Sequence, residues 1–211
     1  PFVLLFTRLG TTPTQVTFLS LIPALIGAYF FISWPGQIGF WAGIAAFEMA
    51  YILDCADGQL ARYTGQESAV GARLDFAMDG MKALFMTGAL GLRIQSESDW
   101  TAQSAYLGMG VVTVLGLALL CTYALRGTTL EKSGSRDERA VKAQLLISIA
   151  KWVAHYPSSL PVFAVFLPPA SFLWAYGAVH MLYAGRSVLE LAVVHGRVAP
   201  EEHPSGEDEA R

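Results

Sequence analysis

The sequence predicts an all-α, polytopic membrane protein with six transmembrane helices and both termini in the cytoplasm. The composition is 54% hydrophobic and only 15% charged over 211 residues, with a mean hydropathy of +0.44. Apolar segments of about 20 residues, the length that a bilayer requires, recur along the chain. Ten of the 14 lysines and arginines fall on one side of these segments and one lies opposite. The positive-inside rule places the basic side in the cytoplasm.

The first segment, residues 1–13, is apolar but too short to span, and it predicts an amphipathic helix on the membrane surface. Thr12 followed by Pro13 suits the start of the next helix. Residues 93–100 are expected to form an exposed connection, and a second connection containing four prolines is expected after residue 156. The predicted spans are 15–33, 38–62, 72–92, 103–125, 141–156 and 170–194.

We expect one membrane-embedded domain over residues 1–198 and a disordered acidic tail over 199–211, which has no large apolar residue. Because the first residue is Pro1, we expect the natural chain to begin earlier. Cys55 and Cys121 lie in separate apolar segments, and we interpret both as small buried residues and not as a disulfide.

Four aspartates stand out within the apolar segments: Asp54, Asp57, Asp75 and Asp79. A charged side chain within a membrane segment costs several kcal/mol and survives where it has a function and a partner. Four neighbouring carboxylates repel one another, and a bound divalent metal relieves that repulsion. Oxygen ligands favour a hard cation, so the sequence predicts Mg²⁺ or Mn²⁺, with Ca²⁺ as a further possibility.

The spacing of the aspartates places each pair on one helix face. Asp54 and Asp57 are three residues apart, and Asp75 and Asp79 are four apart. A short loop between two antiparallel helices would bring the pairs together. The alternative is that the aspartates cap helices or pair singly with Arg62 and Arg73, but capping accounts for only one aspartate per helix.

This stretch resembles the signature of the CDP-alcohol phosphotransferase family, D-x2-D-G-x2-A-R-x8-G-x3-D-x3-D, with every gap matched. The residues that carry the resemblance are Asp54, Asp57, Gly58, Ala61, Arg62, Gly71, Asp75 and Asp79. Residues 12–20 are also similar to the family's segment before its first helix. Gly80 departs from the family pattern, because many relatives have a basic residue there.

The resemblance implies an integral membrane enzyme, with its active site facing the cytoplasm, that transfers a substituted phosphate from a CDP-alcohol to an acceptor alcohol and releases CMP. The four aspartates would hold one or two metal ions against the donor diphosphate, with Asp57 also contacting the nucleotide. Gly58, Ala61 and Gly71 would make room for the cytidine, and Arg62 would hold the nucleotide or the helix geometry. Asp79 would be the general base. Relatives also imply a homodimer and contact with membrane lipid, and we expect no nucleic-acid partner.

Several other residues have two interpretations. The basic residues of the 126–142 loop could bind a phosphate on the acceptor or could simply follow the positive-inside rule. Arg186 could reach the acceptor or pair with Glu190. Lys82 could neutralise Asp79 or Asp75, or form a structural ion pair. His155 is expected near the far membrane face, and His180 to hydrogen-bond within the bundle. The loop residues concerned are Arg126, Lys132, Arg136, Arg139 and Lys142.

The preferred donor is CDP-diacylglycerol and the preferred acceptor a polyol phosphate, although a CDP-polyol donor stays open. A prenyltransferase would also bind diphosphate through Mg²⁺, but it gives no reason for the glycine, alanine and arginine positions of the motif. A cation transporter with an acidic site is the alternative from another class. It would be expected to place its acidic site at mid-bilayer between repeated broken helices, and the sequence has no such repeat.

Overall fold

The structure is a computed structural model that describes residues 2–97, 101–125 and 148–195. Every regular element in these ranges is an α-helix, as the sequence predicts. Three of the described helices are long and apolar enough to cross a membrane: Pro13–Ser33, Gly36–Thr64 and, within a longer helix, Tyr106–Tyr123. The chain is therefore a helical membrane protein, and the count of six spans and the cytoplasmic position of the termini stay predictions.

The helices occur in the predicted order, and several of them are longer than the spans that the sequence predicts. The acidic tail, residues 141–147 and the 126–142 loop lie outside the described residues. The elements are α1 (Phe2–Arg8), α2 (Pro13–Ser33), α3 (Gly36–Thr64), α4 (Ala69–Glu97), α5 (Thr101–Leu125), α6 (described over residues 148–154), α7 (Tyr156–Phe166) and α8 (Pro169–His195).

Helix α2 begins at a capping box, as the Thr12-Pro13 pair predicts. The Gln15 backbone N–H donates to Thr12 Oγ1 at 3.3 Å, and the Thr12 N–H donates to Gln15 Oε1 at 2.9 Å. Pro13 fills the first helical position, where its missing N–H is not needed. The preceding helix α1 packs on α3 through Phe6, and its expected position on a membrane surface stays a prediction.

Two expectations about connections are wrong. Residues 157–166 form most of helix α7, because Pro157 lies in its first turn, where a proline begins a helix instead of ending one. Residues 93–97 continue α4, and Arg93 is only 2% exposed. The guanidinium donates to Trp34 O at 3.1 Å and to Gly36 O at 2.6 Å, satisfying carbonyls at the turn between α2 and α3.

Helix α2 packs against both α3 and α4, which are joined by residues 65–68 and run in opposite directions. The approach of α2 to α3 is close: a Cβ added at Gly27 would lie 2.8 Å from the Phe47 ring and 3.0 Å from Gly43 O. Small residues permit such contacts between membrane helices. Because α2 lies between them, α3 and α4 contact each other little along their lengths, and their aspartates meet across the remaining space.

Candidate metal and substrate centre

Three of the four predicted aspartates lie together. One carboxylate oxygen from each of Asp54, Asp57 and Asp75 lies within 4.8 Å of the other two. Asp54 and Asp57 come from the last three turns of α3, and Asp75 comes from the second turn of α4. The antiparallel turn between the helices therefore brings the two pairs to a common end. Asp79, one turn further along α4, is not part of this group.

Asp57 provides a direct test of whether the group suits a cation. Its side chain is 4% exposed, and its Oδ2 atom has no hydrogen-bond partner within the described residues. Buried carboxylate oxygens are almost always satisfied, so such an atom indicates a missing ion or water. Three converging carboxylates with one orphaned oxygen fit a hard divalent cation, which oxygen ligands bind at about 2.0–2.6 Å.

Asp79 is held by Lys82 instead. The Lys82 Nζ atom lies 2.8 Å from Asp79 Oδ1 and also forms an ion pair with Asp54 Oδ1. Lys82 is 1% exposed, whereas the Asp79 side chain is 53% exposed. The sequence suggested Asp79 as a partner of Lys82 and did not suggest Asp54. No sequence signal points to Asp54, because that pair depends on how α3 and α4 are placed around α2.

A cavity of about 230 Å³ opens on one side of the aspartates. It lies between the start of α2, the last turns of α3 and the first turns of α4. The helix dipole at the start of α4 favours an anion there. The wall includes all five residues predicted for the nucleotide site, Asp57, Gly58, Ala61, Arg62 and Gly71, together with the predicted metal ligand Asp75.

Three glycines lie in or beside the wall of this cavity. Helix α3 ends at Thr64 and is capped by Gly65, whose φ of 66° is the left-handed conformation that glycine adopts without strain. The Gly71 N–H donates to Ser68 Oγ at 2.9 Å, which caps the start of α4. A Cβ added at Gly58 would lie 3.8 Å from the Arg62 guanidinium, so the arginine lies directly beside the glycine. A larger side chain at position 58 would project towards this guanidinium.

A second cavity, of about 240 Å³, opens on the other side of the centre. Asp54 and Asp79 line it, and much of the remaining wall is aromatic. The cavity lies between α3, α4, α5, α8 and the α6–α7 junction. Its other polar and aromatic lining residues are Tyr51, Phe76, His155, Tyr156, Tyr176 and His180.

The two histidines of this cavity were not predicted as site residues. The expected position of His155 near the far membrane face is wrong: its ring packs edge-on against Tyr51, with centroids 5.1 Å apart, one turn from Asp54. The expectation is wrong because the predicted span ends at residue 156, whereas the chain continues beyond it as helix α7. His180 hydrogen-bonds through Nδ1 to Tyr176 O at 2.9 Å, within its own helix.

The basic residues predicted for the acceptor lie elsewhere or outside the described residues. Arg186 is exposed, its Nε lies 3.0 Å from Glu190 Oε1, and it lines neither cavity. This is the i, i+4 pair that one of its two interpretations expected. Arg126, Arg136 and Arg139 are in the part of the chain that the structure does not describe. Their roles in acceptor binding therefore stay predictions.

The model of the CDP-alcohol phosphatidyltransferase family matches residues 10–184, a range that includes all four aspartates. Among solved structures, the chain is similar to the phosphatidylinositol phosphate synthase PgsA1 of Mycobacterium tuberculosis, crystallised with CDP-DAG bound. The identity is 20% and the TM-score 0.56, over 100% of this chain and 97% of that one. No curated protein matches the sequence.

Proposed function

The chain belongs to the CDP-alcohol phosphatidyltransferase family and is a transferase of substituted phosphate groups, and on that premise we propose that it transfers a phosphatidyl group from CDP-diacylglycerol to an acceptor alcohol and releases CMP. The similar PgsA1 structure holds CDP-DAG, which supports this donor. A polyol phosphate is the proposed acceptor. A CDP-polyol donor is the alternative within the same family.

One observation carries the proposal: the aspartates separate two cavities. Asp57 and Asp75 line the first cavity, and Asp54 and Asp79 line the second. A transferase must bring a donor and an acceptor to the same reacting atoms from different directions. The first cavity has an anion-favouring helix start and the motif glycines, and it suits the CDP part of the donor. The second cavity suits the acceptor hydroxyl, because Asp79 lines it.

Asp54, Asp57 and Asp75 would hold Mg²⁺ or Mn²⁺ at the boundary between the cavities. A divalent ion at this position would neutralise the donor diphosphate and the charge that develops on the leaving CMP. The orphaned Oδ2 atom of Asp57 supports this assignment. Transfer of a phosphate group asks mainly for positioning and electrostatic stabilisation, and both come from side chains fixed on two helices.

The remaining residues bind and activate the substrates. Gly58, Ala61 and Gly71 leave space for the cytidine, and Arg62 contacts the nucleotide from beside Gly58. Asp79 accepts the proton of the acceptor hydroxyl. The hydroxyl oxygen then forms a bond to the β-phosphorus of the donor, the bond from that phosphorus to the bridging oxygen breaks, and CMP leaves with the oxygen.

We place this centre at the cytoplasmic face of the cell membrane, in a homodimer with six spans per chain. The distribution of basic residues supports the orientation, since ten lie on the side of the 63–71 loop. A cytoplasmic site lets a water-soluble acceptor meet a lipid-linked donor. The aspartates lie within three turns of the end of α3, near one end of the bundle, which suits such an interfacial reaction.

A CMP-release assay on the purified chain in lipid tests the proposal. With Mg²⁺ we expect CMP from CDP-diacylglycerol only when an acceptor is present, and a screen of inositol phosphate, glycerol phosphate, serine and inositol identifies that acceptor. If CMP is released from a CDP-polyol but not from CDP-diacylglycerol, the donor is a CDP-polyol. If no CDP-alcohol yields CMP with any acceptor, the proposed function is wrong.

A further inference from the structure

Lys82 occupies a position that is built from three helices. Its Nζ atom contacts Asp54 Oδ1 on α3, lies 2.8 Å from Asp79 Oδ1 on α4, and lies 3.5 Å from Ser20 Oγ on α2. Its side chain is 1% exposed and Ser20 is completely buried. An ammonium group has three N–H donors, and three acceptors surround this one. The Lys82 ammonium is therefore held by acceptors of the protein and does not reach the solvent.

The position matters because Asp54 belongs to two groups at once. With Asp57 and Asp75 it forms the trio of converging carboxylates. With Asp79 it forms the pair that holds Lys82. In two-metal centres the ions lie about 3.5–4 Å apart and act together on the attacking and leaving oxygens. A second ion next to the trio, shared between Asp54 and Asp79, would lie where the Lys82 ammonium lies.

We propose that Lys82 takes the place of a second metal ion, so that the centre holds a single divalent cation on Asp54, Asp57 and Asp75. The inference rests on the proposed function, which supplies the metal. A second divalent ion would have to displace a buried ammonium or approach it closely, and like charges repel strongly away from water. Lys82 therefore provides a single positive charge that is covalently fixed, whereas a divalent metal ion would provide two positive charges and could dissociate.

The same contact separates Asp79 from the metal ligands. Lys82 binds its Oδ1 atom, so Oδ2 is the oxygen left for a hydroxyl in the second cavity. Asp79 is 53% exposed, and it is outside the trio. Lys82 is then a positioning residue: it acts on the acceptor through Asp79 and contacts no reacting atom itself. Lys82 therefore separates the four aspartates by role: Asp54, Asp57 and Asp75 bind one metal ion, and Asp79 acts as the base.

Counting bound Mn²⁺ tests the inference without measuring turnover. The purified full chain in detergent is titrated with Mn²⁺, and free ion is followed by electron paramagnetic resonance. For the wild type we expect one Mn²⁺ per chain, with the spectrum of an isolated ion. Lys82→Met keeps the length and removes the charge, and we expect it to bind two Mn²⁺ with the spectrum of a coupled pair. Lys82→Arg keeps the charge and should bind one.

Asp57→Asn is the control for ions bound elsewhere, and it should lose the single Mn²⁺. Two Mn²⁺ in the wild type, none in the wild type, one in folded Lys82→Met, or retention of the ion in Asp57→Asn would each overturn the inference. Gel filtration checks folding. If Lys82→Met does not fold, Lys82→Gln replaces it, and the wild-type count decides the matter by itself.

CMP release on the same preparation separates this inference from the function on which it rests. A wild-type chain that binds two Mn²⁺ and releases CMP overturns the single-ion inference and leaves the transferase standing. A chain that binds one Mn²⁺, through Asp57, but releases no CMP from any donor supports the single-ion centre and overturns the proposed reaction.

Discussion

Arg93, near the end of α4, donates a hydrogen bond from Nη1 to the carbonyl oxygen of Trp34, 3.1 Å away in the turn between α2 and α3. Its other terminal nitrogen donates to Gly36 O at 2.6 Å, and its guanidinium lies 5.3 Å from the centre of the Phe40 ring. One buried side chain thus joins three helices at the end of the bundle opposite the aspartates. Trp34 caps the C-terminal end of α2, where backbone carbonyls have no partner further along the helix.

We expect Arg93→Met to lower the free energy of unfolding by about 1.5–3 kcal/mol, the range for a hydrogen bond to a charged group. Chemical unfolding of the purified chain in detergent measures the change. Arg186→Met is the matched control, because Arg186 is an exposed pair with Glu190 and such pairs contribute at most about 1 kcal/mol. Equal effects of the two substitutions would contradict the bridging role of Arg93.

Removal of divalent metal should abolish CMP release. Asp54, Asp57 and Asp75 bring three carboxylates together, and a donor diphosphate adds further negative charge at the first cavity. EDTA should therefore prevent donor binding as well as turnover, and Mg²⁺ or Mn²⁺ should restore both. The assay is CMP release before chelation, after it and after metal is added back. Full turnover in chelated buffer would exclude the metal centre.

The two cavities should be separable by a pair of matched substitutions. Ala61 lines the first cavity and Ala154 the second, and both are half-buried. We expect Ala61→Leu to raise the KM for the CDP-alcohol with little change for the acceptor, because the added carbons fill the proposed nucleotide site. Ala154→Leu should instead raise the KM for the acceptor, with little change in the KM for the CDP-alcohol. Steady-state kinetics with each substrate varied in turn measures both, and the opposite pattern would exchange the cavity assignments.

The aspartate cluster could be predicted from the sequence because spacing alone fixes which residues share a helix face. Asp54 and Asp57 are one turn apart, and the short loop predicted between the two helices brings them towards Asp75. The contact between Lys82 and Asp54 could not be predicted, since it depends on α2 lying between α3 and α4. Local spacing contains no information about that placement.

The sequence does not predict the second cavity, for a different reason. Hydropathy places His155 at the end of a span, and the four prolines that follow predict a connection there. Pro157 instead starts α7, so the chain continues past His155 and brings its ring against Tyr51. The charge of Arg93 likewise predicts an exposed loop that begins at this residue. Its burial depends on carbonyls of the turn after α2, which a reading of α4 alone does not reveal.

Cysteine labelling tests the predicted orientation. With Cys55 and Cys121 replaced by alanine, single cysteines are placed at Gln66, in the connection after α3, and at Glu97, the last residue of α4. We expect an impermeant reagent to label position 97 in intact cells and position 66 only after the cells are opened, because the basic residues cluster on the side of Gln66. Labelling of position 66 from outside would reverse the topology.

Asp79→Asn should divide binding from turnover. Asp79 lines the second cavity and is outside the trio, so the substitution removes the proposed base and leaves the metal ligands in place. We expect CDP-alcohol affinity to change little while turnover falls by roughly 10²-fold or more, the scale for loss of a general base. Asp57→Asn is the contrasting variant, and it should weaken both metal and donor binding because its carboxylate is buried in the trio.

Both quantities must be measured on one preparation, because losing the partner of Lys82 could shift Asp54 and produce a milder version of the same defect. Such an indirect effect would lower metal affinity as well as turnover, since Asp54 contacts the lysine and belongs to the trio. A defect confined to turnover therefore identifies Asp79 as the base. Near-normal turnover in Asp79→Asn would place the base elsewhere, and lost donor binding would make Asp79 a fourth metal ligand.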